Sequence, residues 1–381
     1  MKKISRTAII GVGLMGGSLA GALKKNNLTG EIIGWDREYS ALQTACQADI
    51  IDTIAPDLTA AVEKAELIII AVPTAAITRT LAKIYPHLSS AALVMDLGST
   101  KKEILQQAEE IFLNYHSDKI CDNLNDKANY DSPDDNAICN NFNGNTIYNN
   151  TNDNSLCDNS NGNTSYNNSD DRAIEENLNN NTIEKQKGQK PAGDKDKRPE
   201  TSHNDIPGPH FIGGHPIAGS EKSGVKWSNP DMFSGAPFVL TPLPQTPASR
   251  VNQLRTILEN IGARVYQFSP DEHDLYLAWI SHLPQLAASA LMQTIAEQPD
   301  SQQALELAGS GLRDTTRIAA SDAGIWQDII FSNRENIAAI LQDYITSLEK
   351  LQKAVENSNP EKVHELMTAA ARARNSLDNS E

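Results

Sequence analysis

Thr7-Ala8-Ile9-Ile10, a short apolar run, leads directly into Gly11-Val12-Gly13-Leu14-Met15-Gly16, and a helical pattern follows from Gly17 to Lys25. A buried strand, a tight glycine turn and a helix in immediate succession leave few folds open. The first glycine permits the turn, the second lets backbone approach a pyrophosphate, and the third lets helix and strand pack closely. The helix N-terminus then offers free N–H groups and a partial positive charge to the phosphates. Glu31-Ile32-Ile33-Gly34-Trp35 reads as the second strand and ends at Asp36, 20 residues beyond Gly16. A carboxylate there accepts hydrogen bonds from an adenosine ribose and repels a 2′-phosphate. The expectation is a dinucleotide-binding (Rossmann-type) α/β domain whose cofactor is held by Gly11, Gly13, Leu14, Met15, Gly16, Asp36 and Arg37. Asp36 favours NAD, while Arg37 keeps NADP open, because a guanidinium can pair with the extra phosphate.

Leu67 to Val72, Leu93 to Asp96, Phe211-Ile212 and Pro237 to Leu240 continue the series of short apolar strands. Such runs suit strands covered on both faces. From about His116 to Ile206 the composition changes abruptly: Asn, Asp and Ser dominate and no helix or strand period survives. Cys121, Cys139 and Cys157 recur every 18 residues, and Tyr130, Tyr148 and Tyr166 keep the same register. Each repeat has too little apolar area to offset roughly 1–2 kcal/mol of backbone entropy per residue. A long disordered, Asn-rich insertion within the first domain is therefore expected. The cysteine spacing records duplication rather than ligand geometry, and no metal site is expected.

Beyond Thr241 the period changes to that of a helix. Asp271 to Gln298 is one long helical stretch that Pro284 should kink or divide. Asn333 to Asn357 aligns Ile337, Ile340, Leu341, Tyr344, Ile345, Leu348, Leu351 and Val355 on one face,. Residues 1–115 with 207–242 are thus expected to form the dinucleotide-binding domain, 116–206 the insertion, and 243–381 an all-α C-terminal domain. That last part would carry substrate contacts and a homodimer interface.

A formal net charge of −16 speaks against nucleic acid or an anionic membrane as partner,. No apolar run approaches the roughly 18 residues needed to span a bilayer. Met1-Lys2-Lys3 and the apolar stretch to Leu23 imitate a secretory signal, but Gly11, Gly13, Gly16, Gly17 and Gly21 suit a turn better,. A cytoplasmic protein is expected.

Four polar features remain. Asp96-Leu97-Gly98-Ser99-Thr100-Lys101 ends a strand, and Gly213-Gly214-His215-Pro216-Ile217-Ala218-Gly219-Ser220-Glu221-Lys222-Ser223-Gly224 follows another. Gly309-Ser310-Gly311-Leu312-Arg313-Asp314-Thr315-Thr316-Arg317 carries two guanidiniums, and His282 lies in Ser281-His282-Leu283-Pro284. Each also has a plain structural reading. Ser99 and Thr100 suit helix caps, with Glu103 completing a capping box from Thr100. His215 suits a turn, and His282 suits a satisfied core histidine. Arg313 and Arg317 suit a surface helix face.

In their order along the chain, with His282 ahead of the Gly309–Arg317 stretch, the glycine turn and these four features together resemble the prephenate/arogenate dehydrogenase family of tyrosine biosynthesis. The resemblance covers nearly all of the chain outside the insertion, and the stretch around His215 is its most diagnostic part. It implies NAD-dependent oxidative decarboxylation of prephenate to 4-hydroxyphenylpyruvate. By that match His215 is the base for the substrate hydroxyl, and Ser99 sits between nicotinamide and that hydroxyl. Arg317 binds a substrate carboxylate, Glu221 pairs with this arginine and gates entry, and His282 and Arg313 complete the substrate side. Arogenate, with an amine in place of the side-chain keto group, is an open alternative substrate. A non-catalytic dinucleotide-binding regulator is the alternative of a different class.

Overall fold

The computed structural model describes residues 3–113, 208–219 and 222–378. They belong to one unit, Met1–Lys119 with Asp205–Glu381; the other, Ile120–Asn204, lies outside the described residues. The expected insertion at 116–206 therefore also lies outside them.

Eight strands form one sheet: β1 (Ile4–Ile10), β2 (Thr29–Trp35), β3 (Thr53–Ile54), β4 (Leu67–Ile70), β5 (Leu93–Asp96), β6 (His210–Pro216), β7 (Pro237–Pro242) and β8 (Arg264–Gln267). Their spatial order is β3-β2-β1-β4-β5-β6-β7-β8. All pairs from β3 through β6 are parallel; β7 runs antiparallel to β6, and β8 parallel to β7. β1 lies between β2 and β4, so the winding reverses there, and sheets of this kind bind ligands outside the C-terminal strand ends at that reversal.

Helices α1 (Leu14–Lys25), α2 (Tyr39–Gln47), α3 (Leu58–Val62), α4 (Ile77–Ile84), α5 (102–113) and α6 (Ala248–Asn260) accompany the sheet. Ile9, Leu67, Ile69, Leu93 and Met95 pack with Leu19 and Leu23 of α1 and Leu254 and Leu258 of α6. Ala8, Ile10, Ile68, Ile70 and Val94 pack with Ile77 and Leu81 of α4 and Ile104 and Ala108 of α5. Alternate residues of one strand thus enter different clusters, which is why the strands read as continuous apolar runs. The sheet also reaches further along the chain than its apolar runs suggest. Residues 243–267, grouped by period with the helices, supply α6 and β8. No residue of β8 is fully buried, and Arg264, Tyr266 and Gln267 are exposed, so this edge strand carries no continuous apolar signature.

The remaining residues are helical: α7 (Pro270–Leu277), α8 (Leu283–Ala296), α9 (Ser301–Glu306), α10 (Ser310–Thr316), α11 (Ala323–Ser332), α12 (Arg334–Glu356) and α13 (Pro360–Asp378). A π-helical turn, Ala278–His282, separates α7 from α8, and Pro284 falls in the first turn of α8. The wider turn relieves the clash of a proline ring with the preceding turn, and it divides the stretch expected over Asp271 to Gln298. Of the apolar stripe on α12, Ile337 is buried, whereas Ile345, Leu348 and Val355 are exposed. Among the described residues no helix is long and apolar enough to cross a membrane.

Candidate active site

The glycine turn crosses the C-terminal ends of β1 and β4. Gly11 has φ +92°, and a Cβ there would strike the backbone carbonyl of Ala71. A Cβ on Gly16 would strike the carbonyl of Gly11. Those two glycines serve the fold. Gly13 differs, because a Cβ there meets nothing within 4 Å. It precedes α1, whose first turn, begun by Leu14 and Met15, has no side-chain cap. Its N–H groups therefore remain available to an anion. The Asp36 carboxylate accepts from the backbone N–H of Val12 at 2.7 Å and that of Glu38 at 2.9 Å. Each oxygen keeps a further lone pair for a ribose hydroxyl. Arg37 is exposed beside it and, with Trp35, Tyr39 and Pro56, lines a concavity next to Asp36. An open glycine position, an uncapped helix start and a ribose-type carboxylate together fit a dinucleotide.

The loop after β5 is built around a buried ion pair. Lys101 and Asp96 are both fully buried, and Lys101 Nζ donates to Asp96 Oδ2 at 2.7 Å. It also donates to the carbonyls of Gly98 at 2.7 Å and Thr100 at 3.2 Å, so all three protons are placed,. Asp96 accepts in turn from the N–H of Gly98 at 2.7 Å and of Gly214 at 3.2 Å. A buried charge pair is tolerable only when satisfied in this manner. The result fixes the segment that carries Ser99, which is itself partly buried. It also explains the two glycines before His215. A Cβ on Gly213 would strike Thr241 Oγ1 of β7 and lie 2.9 Å from Lys101 Cδ, and one on Gly214 would lie 2.7 Å from the Asp96 carbonyl oxygen.

His215, near the end of β6, is partly buried, and its Nδ1 lies 2.8 Å from Nε2 of His273 in α7. His273 Nδ1 lies 2.7 Å from Asp274 Oδ1. Asp274 also accepts from the N–H groups of Lys101 at 2.8 Å and Lys102 at 2.9 Å. It thereby caps the N-terminus of α5, and the expected capping box from Thr100 to Glu103 does not form. Thr100 instead bonds the Ser332 hydroxyl at 3.0 Å. A cap from a residue so distant in sequence leaves no local signature. Neither His273 nor Asp274 stands out in the sequence. Glu272-His273-Asp274 resembles an ordinary acidic first turn, and a capping box between Ser269 and Glu272 is indeed present.

His282 closes the π-helical turn, fully buried, with Nδ1 3.2 Å from Asn333 Nδ2. Asn333 also donates to the Asp274 carbonyl at 2.7 Å, joining His282 to the same cluster. Burial pushes the His215 imidazole well below its ordinary value of 6.5, with His273, Lys101 and His282 adding to the effect. Burial likewise lowers His273, against the raising influence of Asp274. His282 is lowered by burial to about 4. The three imidazoles are therefore neutral near pH 7.

The structure brings Ser99, His215 and His282 into one region and leaves the arginines on the surface. Arg313 is exposed, and its Nε donates to the Ala308 carbonyl at 3.3 Å. Arg317, also exposed, opens the 3₁₀ turn Arg317–Ala320, which Gln285 of α8 anchors through the Ile318 carbonyl at 3.0 Å. Glu221 lies outside the described residues. The loop beyond His215 returns to the glycine turn. Ser228 Oγ donates to the Gly13 carbonyl at 3.4 Å, and Asn229 N–H donates to Ser18 Oγ at 2.9 Å.

Two family models match this chain. Prephenate dehydrogenase, nucleotide-binding domain, matches residues 19–117 and 192–267, and prephenate dehydrogenase, dimerization domain, matches residues 269–369. Together they span nearly three quarters of the sequence. The chain is 24% identical over 380 residues to the prephenate dehydrogenase of Bacillus subtilis, covering 99% of this chain and 77% of that relative. It is also similar to a crystal structure of prephenate dehydrogenase from A. aeolicus in complex with hydroxyphenyl propionate and NAD+, with TM-score 0.69, 23% identity and 99% of both chains covered. For the crystal structure of Synechocystis arogenate dehydrogenase the TM-score is 0.64 at 25% identity, over 98% of this chain and 99% of that one.

Proposed function

The chain belongs to the prephenate dehydrogenase family, and from that premise we infer that it oxidatively decarboxylates prephenate to 4-hydroxyphenylpyruvate with NAD. NAD, when bound, accepts the hydride that leaves the substrate's carbinol carbon. The first turn of α1 holds the pyrophosphate, Gly13 gives it room, and Asp36 takes the ribose hydroxyls. His215 receives the hydroxyl proton as that carbon is oxidised, a task for a neutral imidazole. Ser99 orients the hydroxyl against the nicotinamide. Arg317 pairs with a substrate carboxylate, where a planar fork adds orientation to charge. His282, Arg313 and Glu221 complete the substrate side. As carbon dioxide leaves, its bonding pair enters the ring, which becomes aromatic and supplies much of the driving force, and the ring oxygen takes back the proton from His215 to give the phenol.

The observation that carries this reading is the His215 imidazole, kept neutral by burial and joined through Gly214 to the loop that presents Ser99. The second family model is a dimerization domain, and the protein is a homodimer through its helical part. The exposed Ile345, Leu348 and Val355 of α12 and Met367 of α13 suit that interface,. The cytoplasm, where NAD-linked amino-acid synthesis runs, is the compartment this reading assigns.

Arogenate is the second substrate reading, favoured by the likeness to the Synechocystis enzyme. A spectrophotometric assay crossing prephenate and arogenate with NAD and NADP tests both. NADH should form with prephenate at a kcat/KM about tenfold or more above arogenate, a step of roughly 1.4 kcal/mol. Turnover with arogenate alone would reassign the substrate, and none with either would remove the activity.

A further inference from the structure

We propose that His273 and Asp274 are positioning residues that hold His215 in one tautomer, with Nδ1 protonated and Nε2 bare toward the substrate hydroxyl. This rests on His215 acting as the base in the reaction proposed above. The direction of each hydrogen bond follows from the far end of the chain of groups. A carboxylate only accepts. Asp274, 1% exposed, takes the Lys101 N–H on Oδ1 and the Lys102 N–H on Oδ2. Fixed from both sides by the start of α5, it turns Oδ1 to His273 Nδ1 at 2.7 Å, so that nitrogen is the donor. In a neutral ring the other nitrogen is an acceptor. His273 Nε2 must therefore take the proton of His215 Nδ1, 2.8 Å away. The bare nitrogen of His215 is then Nε2.

The opposite polarity requires His273 to carry both protons. His273 is fully buried, and the Lys101 ammonium opposes a second positive charge. His215 feels His273 from α7, Lys101 from the β5 loop and His282 from the π-helical turn, while His273 feels Lys101, Asp274 and Asp96. Of these only the two aspartates favour protonation nearby, and Asp96 is already committed to Lys101. Which ring nitrogen keeps its proton is generally set by the bond the other makes. A base held in the wrong tautomer presents an N–H to the hydroxyl whose proton it should receive.

Two variants separate orientation from packing. His273→Leu fills the volume but cannot accept, while Asp274 keeps both backbone donors and its cap. His273→Gln restores an acceptor facing His215. His273→Leu should lose about 10²-fold in kcat, with KM for prephenate and NAD within about threefold. His273→Gln should recover to within about tenfold of wild type. Nitrogen-15 NMR of the histidine-labelled full chain near pH 7.5, with His215→Asn to assign the signal, reads the tautomer directly. Wild type should show His215 protonated at Nδ1 alone, and His273→Leu should shift the population toward Nε2–H. An Nε2–H signal in wild type overturns the proposal, and so does equal impairment of Leu and Gln. The NMR reading stands apart from turnover: a wild-type enzyme inactive on both substrates removes the proposed reaction, while the tautomer still judges the relay.

Discussion

At the scale of single residues, the chemistry depends on imidazoles that refuse a proton. His215, His273 and His282 are all held below 6.5, with burial as the leading cause in each. The base must be neutral to work, so the acidic fall in kcat should lie below pH 6.5, and activity should be flat from there to neutrality. The same shifts bear on stability. Between pH 6.5 and about 4 the unfolded chain binds a proton at His282 that the folded chain rejects. Unfolding is therefore favoured as pH drops through that window, and stability is insensitive to this group above it. The full effect is about 3 kcal/mol. Replacing His215 by Asn removes the basic ring nitrogen that takes the proton and leaves the glycine turn untouched. The variant should bind NAD within a few-fold of wild type and lose about 10²–10⁴ in turnover. Retained turnover would remove His215 from the chemistry and revive the reading of a non-catalytic nucleotide-binding regulator.

At the scale of elements, the glycine turn shows that three similar residues answer to different demands. Gly16 is enforced by the fold, because its Cβ would meet the Gly11 carbonyl. Gly13, with φ −90° and open space around a Cβ, is required by nothing in the protein itself. Gly16→Ala should destabilise by about 1–3 kcal/mol, the usual range for overpacking. Gly13→Ala should leave the melting temperature unchanged and weaken NAD binding about tenfold or more, measured by titration calorimetry. Equal loss of stability in both would deny Gly13 its ligand role. This turn was legible in the sequence because strand, turn and helix follow one another without interruption. So were β4 and β5, which are buried throughout and apolar except for Asp96 at the end of β5. β3, two residues long, and β8, solvent-exposed at the sheet edge, lack that signal. Of the site, Ser99 and His215 were visible in unusual glycine-rich contexts. His273 and Asp274 were not, since their partners lie 58 and 173 residues away along the chain.

At the scale of the whole molecule, the question is what the long connection between α5 and β6 does to the fold around it. Residues 114–207 connect Leu113 of α5 to Gly208, two residues before β6. The crossover they complete joins β5 to β6 in parallel, with Leu93 opposite His210 and Met95 opposite Ile212. That register is set by buried side chains and by Asp96 holding Gly214, neither of which involves residues 114–207. Connections of this type usually need only about 2–6 residues. Excising residues 118–204 leaves seven residues between Leu113 and Gly208. The cost of closing a flexible loop grows as the logarithm of its length, so a connection this much shorter would close more easily by about 2 kcal/mol. The shortened protein should therefore melt no lower than wild type, and a rise of a few degrees is expected for a chain of this size. Its kcat should stay within about threefold, because Ser99, His215 and His282 are held by Asp96, His273 and Asn333, all of which remain. An insoluble product, or a lower melting temperature with folded secondary structure retained, would mean that the insertion contributes contacts to the sheet. Loss of activity at unchanged stability would instead assign it a part in the cleft.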